Sequence, residues 1–120
     1  MNVTILERFD LFKETFNVFG TFILKKSDEE IEYLVFEEFI TYVTCYLHKN
    51  TLIDLLKNKF IDQYVFEKSI LLREQVLNID GGPLWTLDEI KENKIWYNLM
   101  LMACLLYTSP SPRESTSSRM

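Results

Sequence analysis

Ser27-Asp28-Glu29-Glu30-Ile31-Glu32-Tyr33-Leu34-Val35-Phe36-Glu37-Glu38-Phe39-Ile40-Thr41-Tyr42-Val43-Thr44-Cys45-Tyr46-Leu47-His48 is the stretch whose reading decides the fold. Apolar residues recur at Ile31, Val35, Phe39, Tyr42 and Tyr46, and again at Phe36, Ile40, Val43 and Leu47. Both series advance by three or four, the spacing of a helix. Only Glu30, Glu37, Thr41, Thr44 and His48 leave a polar strip. The β-branched and aromatic content also suits a strand, but a strand needs one clean face, and here odd and even positions both mix carboxylates with aromatics. Ser27 with Glu30 three residues on forms a capping box, and Asp28 and Glu29 suit the positive end of a helix. A helix apolar around so much of its circumference belongs at the centre of a bundle.

Working outward, Ile5, Phe9, Phe12, Phe16 and Phe19 give an aromatic stripe for a first helix over 5–19, capped by Thr4 and Glu7, with Gly20 as its C-cap glycine. Thr21 to Leu24 reads either as an extended connector or as a last helical turn. After the central helix a short one is expected over 52–60, with Asn50 or Thr51 as cap. Another follows over 63–78, with Asp62 as cap and Val65, Ser69, Leu72, Val76 and Ile79 inward. Nothing at Ile61–Asp62 forbids the two from forming one bent helix. Asp80-Gly81-Gly82-Pro83 is a firm break. Leu84 and Trp85 are placed to pack back as a staple. Thr86 with Glu89 opens a last helix through Ile90, Trp96, Tyr97, Met100 and Leu101. The fold class read from this pattern is all-α, a single bundle of four to five helices.

Residues 104–113, Cys-Leu-Leu-Tyr-Thr-Ser-Pro-Ser-Pro-Arg, together with Ser118-Arg119-Met120, resemble the translated adapter of a transposase-based sequencing library. The resemblance implies that the protein's own sequence runs from Met1 to about Ala103 and stops inside its last helix. Residues 104–120 are then expected to form no domain and to touch 1–103 little, with Leu105, Leu106 and Tyr107 extending the helix before them. Setting aside that segment, with its one acid (Glu114) and two bases (Arg113, Arg119), takes the net charge from −5 to −6.

An acidic balance argues against sequence-independent nucleic-acid binding, which needs clustered Lys and Arg, and is compatible with a basic protein partner. Without Cys104 no disulfide is available, which suits a reducing compartment. No signal peptide is visible, and no apolar run reaches the length of a membrane span. The expectation is therefore a cytoplasmic chain without a membrane or nucleic-acid partner.

Two constellations bear on chemistry. Cys45 and His48 lie three apart, a spacing open to a nucleophile–base pair or half a zinc site, but no further ligand or orienting residue accompanies them. The reading preferred is a core cysteine beside a histidine at a helix C-terminus. Among Glu29, Glu30, Glu32, Glu37 and Glu38, the seven-residue step from Glu30 to Glu37 projects both from one strip. All-α nucleotide pyrophosphohydrolases and di-iron bundles carry Glu-Glu-x-x-Glu or Glu-x-x-His plus a second acidic helix. Here the order is Glu-Glu-Ile-Glu, and no second helix matches. Glu30, Glu37 and Glu38 are therefore assigned to partner binding; the alternative is a metal-dependent hydrolase of the pyrophosphohydrolase kind whose other ligands lie beyond Ala103. No cofactor and no catalytic residue is implied. Gly81-Gly82 is a turn rather than a phosphate loop, and Arg73 with Glu74 is placed for a partly buried contact.

Over Glu67 to Ala103, the run Leu71-Leu72-Arg73-Glu74-Gln75-Val76-Leu77, a glycine turn, Thr86-Leu87-Asp88-Glu89-Ile90-Lys91 and Trp96 resemble small acidic all-α bacterial immunity-type proteins. That resemblance implies a non-enzymatic protein that neutralises a toxin made by the same cell. It covers about a third of the chain through caps and core residues, and carries no site residue across.

Overall fold

A computed structural model of the protein describes residues 4–108, and every regular element among them is helical. The elements are α1 (Ile5–Thr15), a 3₁₀ turn (Thr21–Lys25), α2 (Asp28–Tyr33), a π turn (Leu34–Phe39), α3 (Ile40–Tyr46), α4 (Lys49–Lys57), α5 (Gln63–Ile79), α6 (Leu87–Glu92) and α7 (Lys94–Thr108). The all-α expectation holds. Backbone angles stay right-handed helical at Tyr33, Leu34, Phe39 and Ile40, so α2, the π turn and α3 form one helix through 28–46. It lies where the sequence places it, in the middle of the bundle. α3 packs on α1 and α5, and α2 packs on α6.

The π turn has a cause in the sequence. Ile31, Val35, Phe39, Val43 and Leu47 are all fully buried, and each is four residues after the last. In an α-helix four residues overshoot a full turn by roughly 40°, so such a stripe would wander by about 160° from first to last. A π turn, closed by i→i+5 hydrogen bonds, takes up roughly one extra residue. The Ile40 N–H indeed bonds to the carbonyl of Val35, five residues back. The core stripe thus joins the first part of one apolar series (Ile31, Val35, Phe39) to the last part of the other (Val43, Leu47). Of Phe39 and Tyr42, the two residues of the first series expected at the bundle centre, Phe39 is fully buried, whereas Tyr42 is half-buried and packs edge-on to Tyr46 at 5.1 Å.

Aromatic packing ties this helix to the remainder. The Phe39 ring stacks on Phe19 at 3.9 Å and 10°, and Phe19 meets Trp96 edge-on at 6.1 Å. An aromatic pair of this kind contributes about 0.5–1.5 kcal/mol beyond the area it buries. Trp85 lies 5.3 Å from Phe36 and 5.5 Å from Trp96, while the Trp96 indole N–H donates to the Leu84 carbonyl at 2.7 Å. The Leu84–Trp85 segment therefore packs back as expected, and it does so on the π turn. Phe9, Phe12 and Phe16 extend the aromatic core along α1, with Phe9 also against Phe60 at 5.0 Å. Arg8 and Asp54 join α1 to α4 at 2.7 Å.

Several boundaries differ from the sequence reading. α1 ends at Thr15 rather than near residue 19, and Gly20 is an extended residue (φ 170°) opening the 3₁₀ turn, not a left-handed cap. Its lack of a side chain serves packing, since a Cβ there would meet the Phe22 ring at 3.0 Å and Cys104 Sγ at 3.2 Å. α4 begins at Lys49, capped by His48 rather than by Asn50 or Thr51. It then ends in a Schellman motif, with the Phe60 N–H bonded to the Leu55 carbonyl and the Lys59 N–H to that of Leu56. Lys59 takes the left-handed position (φ 62°), so α4 and α5 are separate helices. The last predicted helix is split at Asn93, whose backbone is extended and whose Oδ1 accepts from the Ile95 N–H at 2.8 Å. Its Nδ2 donates to Glu89 Oε2, and Thr86 caps through its own hydroxyl without the reciprocal Glu89 bond of a capping box.

Ser69 Oγ and Arg73 Nε, one turn apart on α5, are buried without a hydrogen-bond partner. Glu74 is exposed, and Arg73 makes no ion pair among the described residues, so the expected Arg73–Glu74 contact does not form. α7 passes through Ala103 without a break. Leu106 is buried on the stripe begun by Trp96, Leu99 and Ala103, and Cys104 Sγ lies 3.6 Å from Thr21 Oγ1. The first residues after Ala103 therefore pack more than expected, because helical periodicity returns Leu106 to the core. The expectation for 109–120 lies outside the described residues.

Two predictions follow from the backbone. Deleting Glu37 changes the core steps from four-four-four-four to four-three-four-four, which an α-helix satisfies without a π turn. The deletion variant is expected to melt cooperatively within about 5 °C of wild type, whereas deleting Gln75 from α5, where Val65, Ser69, Leu72 and Val76 already fit an α-helix, should cost well over that. Circular dichroism melts check this, and an unfolded Glu37 deletion would contradict it. Replacing Lys59 with Gly should stabilise the protein by about 1 kcal/mol by relieving its left-handed backbone. Urea unfolding measures that, and a loss of stability would contradict it.

Candidate functional site

The central helix opens with a complete capping box. Ser27 Oγ accepts from the Glu30 N–H at 3.2 Å, and Glu30 Oε1 accepts from the Ser27 N–H at 3.3 Å and the Ser27 hydroxyl at 3.2 Å. Asp28, in the first turn, is held by Lys91 of α6 at 2.9 Å. That hydrogen bond, and then the Asp28 charge, raises the Lys91 ammonium above its ordinary range. Three carboxylates thus gather at the positive end of the helix, and the backbone N–H groups there favour them.

Glu30, Glu37, Thr41, Thr44 and His48 are all exposed, so the polar strip read from the sequence faces outward. Its three assigned carboxylates sit in different settings. Glu30 is engaged in the cap. Glu37 is exposed on the π turn, where its carbonyl accepts from the Thr41 hydroxyl at 2.7 Å. Glu38 is half-buried on the same turn, beside Tyr42. Burial, followed by the charges of Glu38 and Glu14, pushes the Tyr42 hydroxyl above the ordinary tyrosine range. Glu29, Glu32, Glu37 and Glu38 form no ion pair among the described residues.

Beside the capping box lies a groove of about 410 Å³, lined by Asn17, Phe22, Lys26, Glu29, Glu30, Tyr33 and Leu34. Phe22 and Tyr33 are 39% and 57% exposed, although both are large aromatics. The 3₁₀ turn explains Phe22: Ile23 turns fully inward, and its neighbour is left outside. Tyr33 stands between the buried positions Ile31 and Val35, on the side that carries the glutamates. Glu30 is the one assigned residue in the groove; Glu37 and Glu38 lie further along the helix. Sequence reasoning missed Asn17, Phe22, Lys26, Tyr33 and Leu34. The available signal was Tyr33, an aromatic whose helical neighbours include Glu29, Glu30, Glu32 and Glu37.

The cysteine–histidine reading needs correction. Cys45 is exposed on α3 rather than in the core, because the π turn gives that face to Val43 and Leu47. His48 belongs to the following helix: its Nδ1 accepts from the Asn50 N–H at 3.2 Å, so the ring caps the start of α4 instead of complementing the end of α3. Among the described residues, no three His, Cys, Asp or Glu side chains converge as a metal site would require. No helix there is long and apolar enough to cross a membrane. A second groove of about 210 Å³ runs between α5 and α7, but Leu105 and Leu106 form part of its wall. No protein-family model, no curated protein and no solved structure matches the chain, so the functional reading rests on this geometry.

Proposed function

We propose that the protein is a non-enzymatic binding module of immunity type, which docks a basic protein partner on the outer face of its central helix. The observation that carries the reading is the run of exposed carboxylates without ion pairs, Glu29, Glu32 and Glu37, on one helix next to an open groove with two exposed aromatic rings. Exposed carboxylates contribute little to folding, but they steer a partner and select its charge. Exposed aromatic rings supply the apolar contact area on which interfaces depend. The net charge of −5 gives the chain a negative field at long range, the sign that attracts a basic partner.

The test separates docking from the hydrolase alternative. In a triple variant, Glu37→Lys and Glu38→Lys reverse the strip, while Glu30→Gln keeps the acceptor that the capping box needs. Binding to immobilised arginine- and lysine-rich peptides should fall by about tenfold or more, chiefly through slower association, with the melting temperature unchanged. Unchanged peptide binding would contradict the docking reading. Saturable micromolar binding of manganese or magnesium by the wild-type protein would favour the hydrolase instead.

A further inference from the structure

We infer that the groove beside the capping box receives an arginine side chain of the partner, held against the Phe22 and Tyr33 rings with the Glu29 carboxylate as its counter-charge. This rests on the docking reading above and specifies where, and for which residue, the contact is selective.

Three observations lead to it. The groove joins aromatic faces to carboxylates, with Phe22 and Tyr33 as exposed rings and Glu29 and Glu30 in the same wall. A planar guanidinium stacks on such rings and bonds to a carboxylate in the same pose, which a lysine ammonium does less well. The two acids are not equivalent. Glu30 Oε1 is committed to Ser27, whereas Glu29 has no hydrogen bond or ion pair among the described residues. Glu29 is therefore the carboxylate with both oxygens open to a cation.

The groove's charge also limits what it accepts. Lys26 lines it as well, so the wall carries two negative groups and one positive. A dense polycation gains little there, because the ammonium repels part of it. One arginine next to an apolar residue fits better: the guanidinium meets the rings and Glu29, and the apolar neighbour covers Leu34. Lys26 is then left for a peptide carbonyl. The volume of about 410 Å³ accommodates a side chain and its neighbour, but not a folded element.

The test is a nitrogen–proton NMR titration of the full chain with N-acetyl-Leu-Arg-Leu-amide and with its citrulline twin, which keeps the shape and loses the charge. Saturable shifts are expected at the amides of Phe22, Lys26, Glu29 and Tyr33. Citrulline, Tyr33→Ala and Glu29→Gln should each weaken binding by about tenfold. Tyr33→Phe should retain it, since the ring face is what is used. Tyr33 is exposed, so an unchanged melting temperature in Tyr33→Ala shows that the loss is local. Shifts confined to Glu37, Glu38 and Thr41 would overturn the groove assignment while leaving the docking face in place. No shift anywhere with this peptide, and none with nona-arginine, would overturn both. Equal affinity for arginine and citrulline would overturn the charge argument.

Discussion

The fold depends on a constraint of spacing. Five core residues of the central helix stand four apart, and an α-helix does not keep such a series on one side. The π turn resolves the conflict by absorbing the surplus residue in the middle of the helix. Phe39 then reaches Phe19, with the rings stacked at 3.9 Å, and through Phe19 the helix meets Trp96 of α7. Phe36, on the same turn, meets Trp85 from the loop after α5. One local departure from α geometry thus positions contacts to the segment after α1, to α7 and to the glycine turn together. π turns recur at functional sites in other proteins, which fits the location of this one between the groove and the rest of the polar strip.

The turn also arranges the outer face. Whatever rotates Val43 and Leu47 inward rotates their neighbours outward, so Thr41, Thr44 and Cys45 are exposed and Tyr42 is only half-buried. The carboxylates are divided in the same way. Glu30 closes the capping box, Glu38 is half-buried where its charge acts on Tyr42, and Glu29 and Glu37 are exposed without ion pairs among the described residues. A strip that reads as uniform in the sequence becomes a graded surface, with an aromatic groove at one end and threonines at the other. This gradation underlies the proposal of a protein-docking face with a selective point of contact.

Much of the fold was legible because it follows from local rules. Thr4, Ser27, Asp62 and Thr86 each cap the helix that the sequence assigns to them, through the hydroxyl or carboxylate oxygen that suits the position. The aromatic stripe of α1 and the buried stripe of α5 follow from spacing alone. What escaped reading has particular causes. The π turn leaves no residue signature, only a run of fours that can be mistaken for two overlapping α stripes. The stop at Lys59 lacks the glycine that normally marks a left-handed cap, and Asn93 looks like an ordinary helix-surface residue until its side chain is seen capping α7. The three-residue step from Cys45 assigns His48 to the helix before it, whereas its ring accepts from the Asn50 N–H and caps the helix after it. Of the site, the acidic strip was legible and the groove was not, because Asn17, Phe22 and Lys26 reach it only through the path of the 3₁₀ turn.

If spacing forces the π turn, its hydrogen bonds must exist in solution. Scalar couplings across hydrogen bonds between amide nitrogens and carbonyl carbons, measured on isotopically labelled protein, report them directly. The Ile40 amide is predicted to couple to the carbonyl of Val35, five residues back. A coupling from Ile40 to the Phe36 carbonyl instead, with four-residue couplings throughout 34–40, would show an ordinary α-helix and contradict the account.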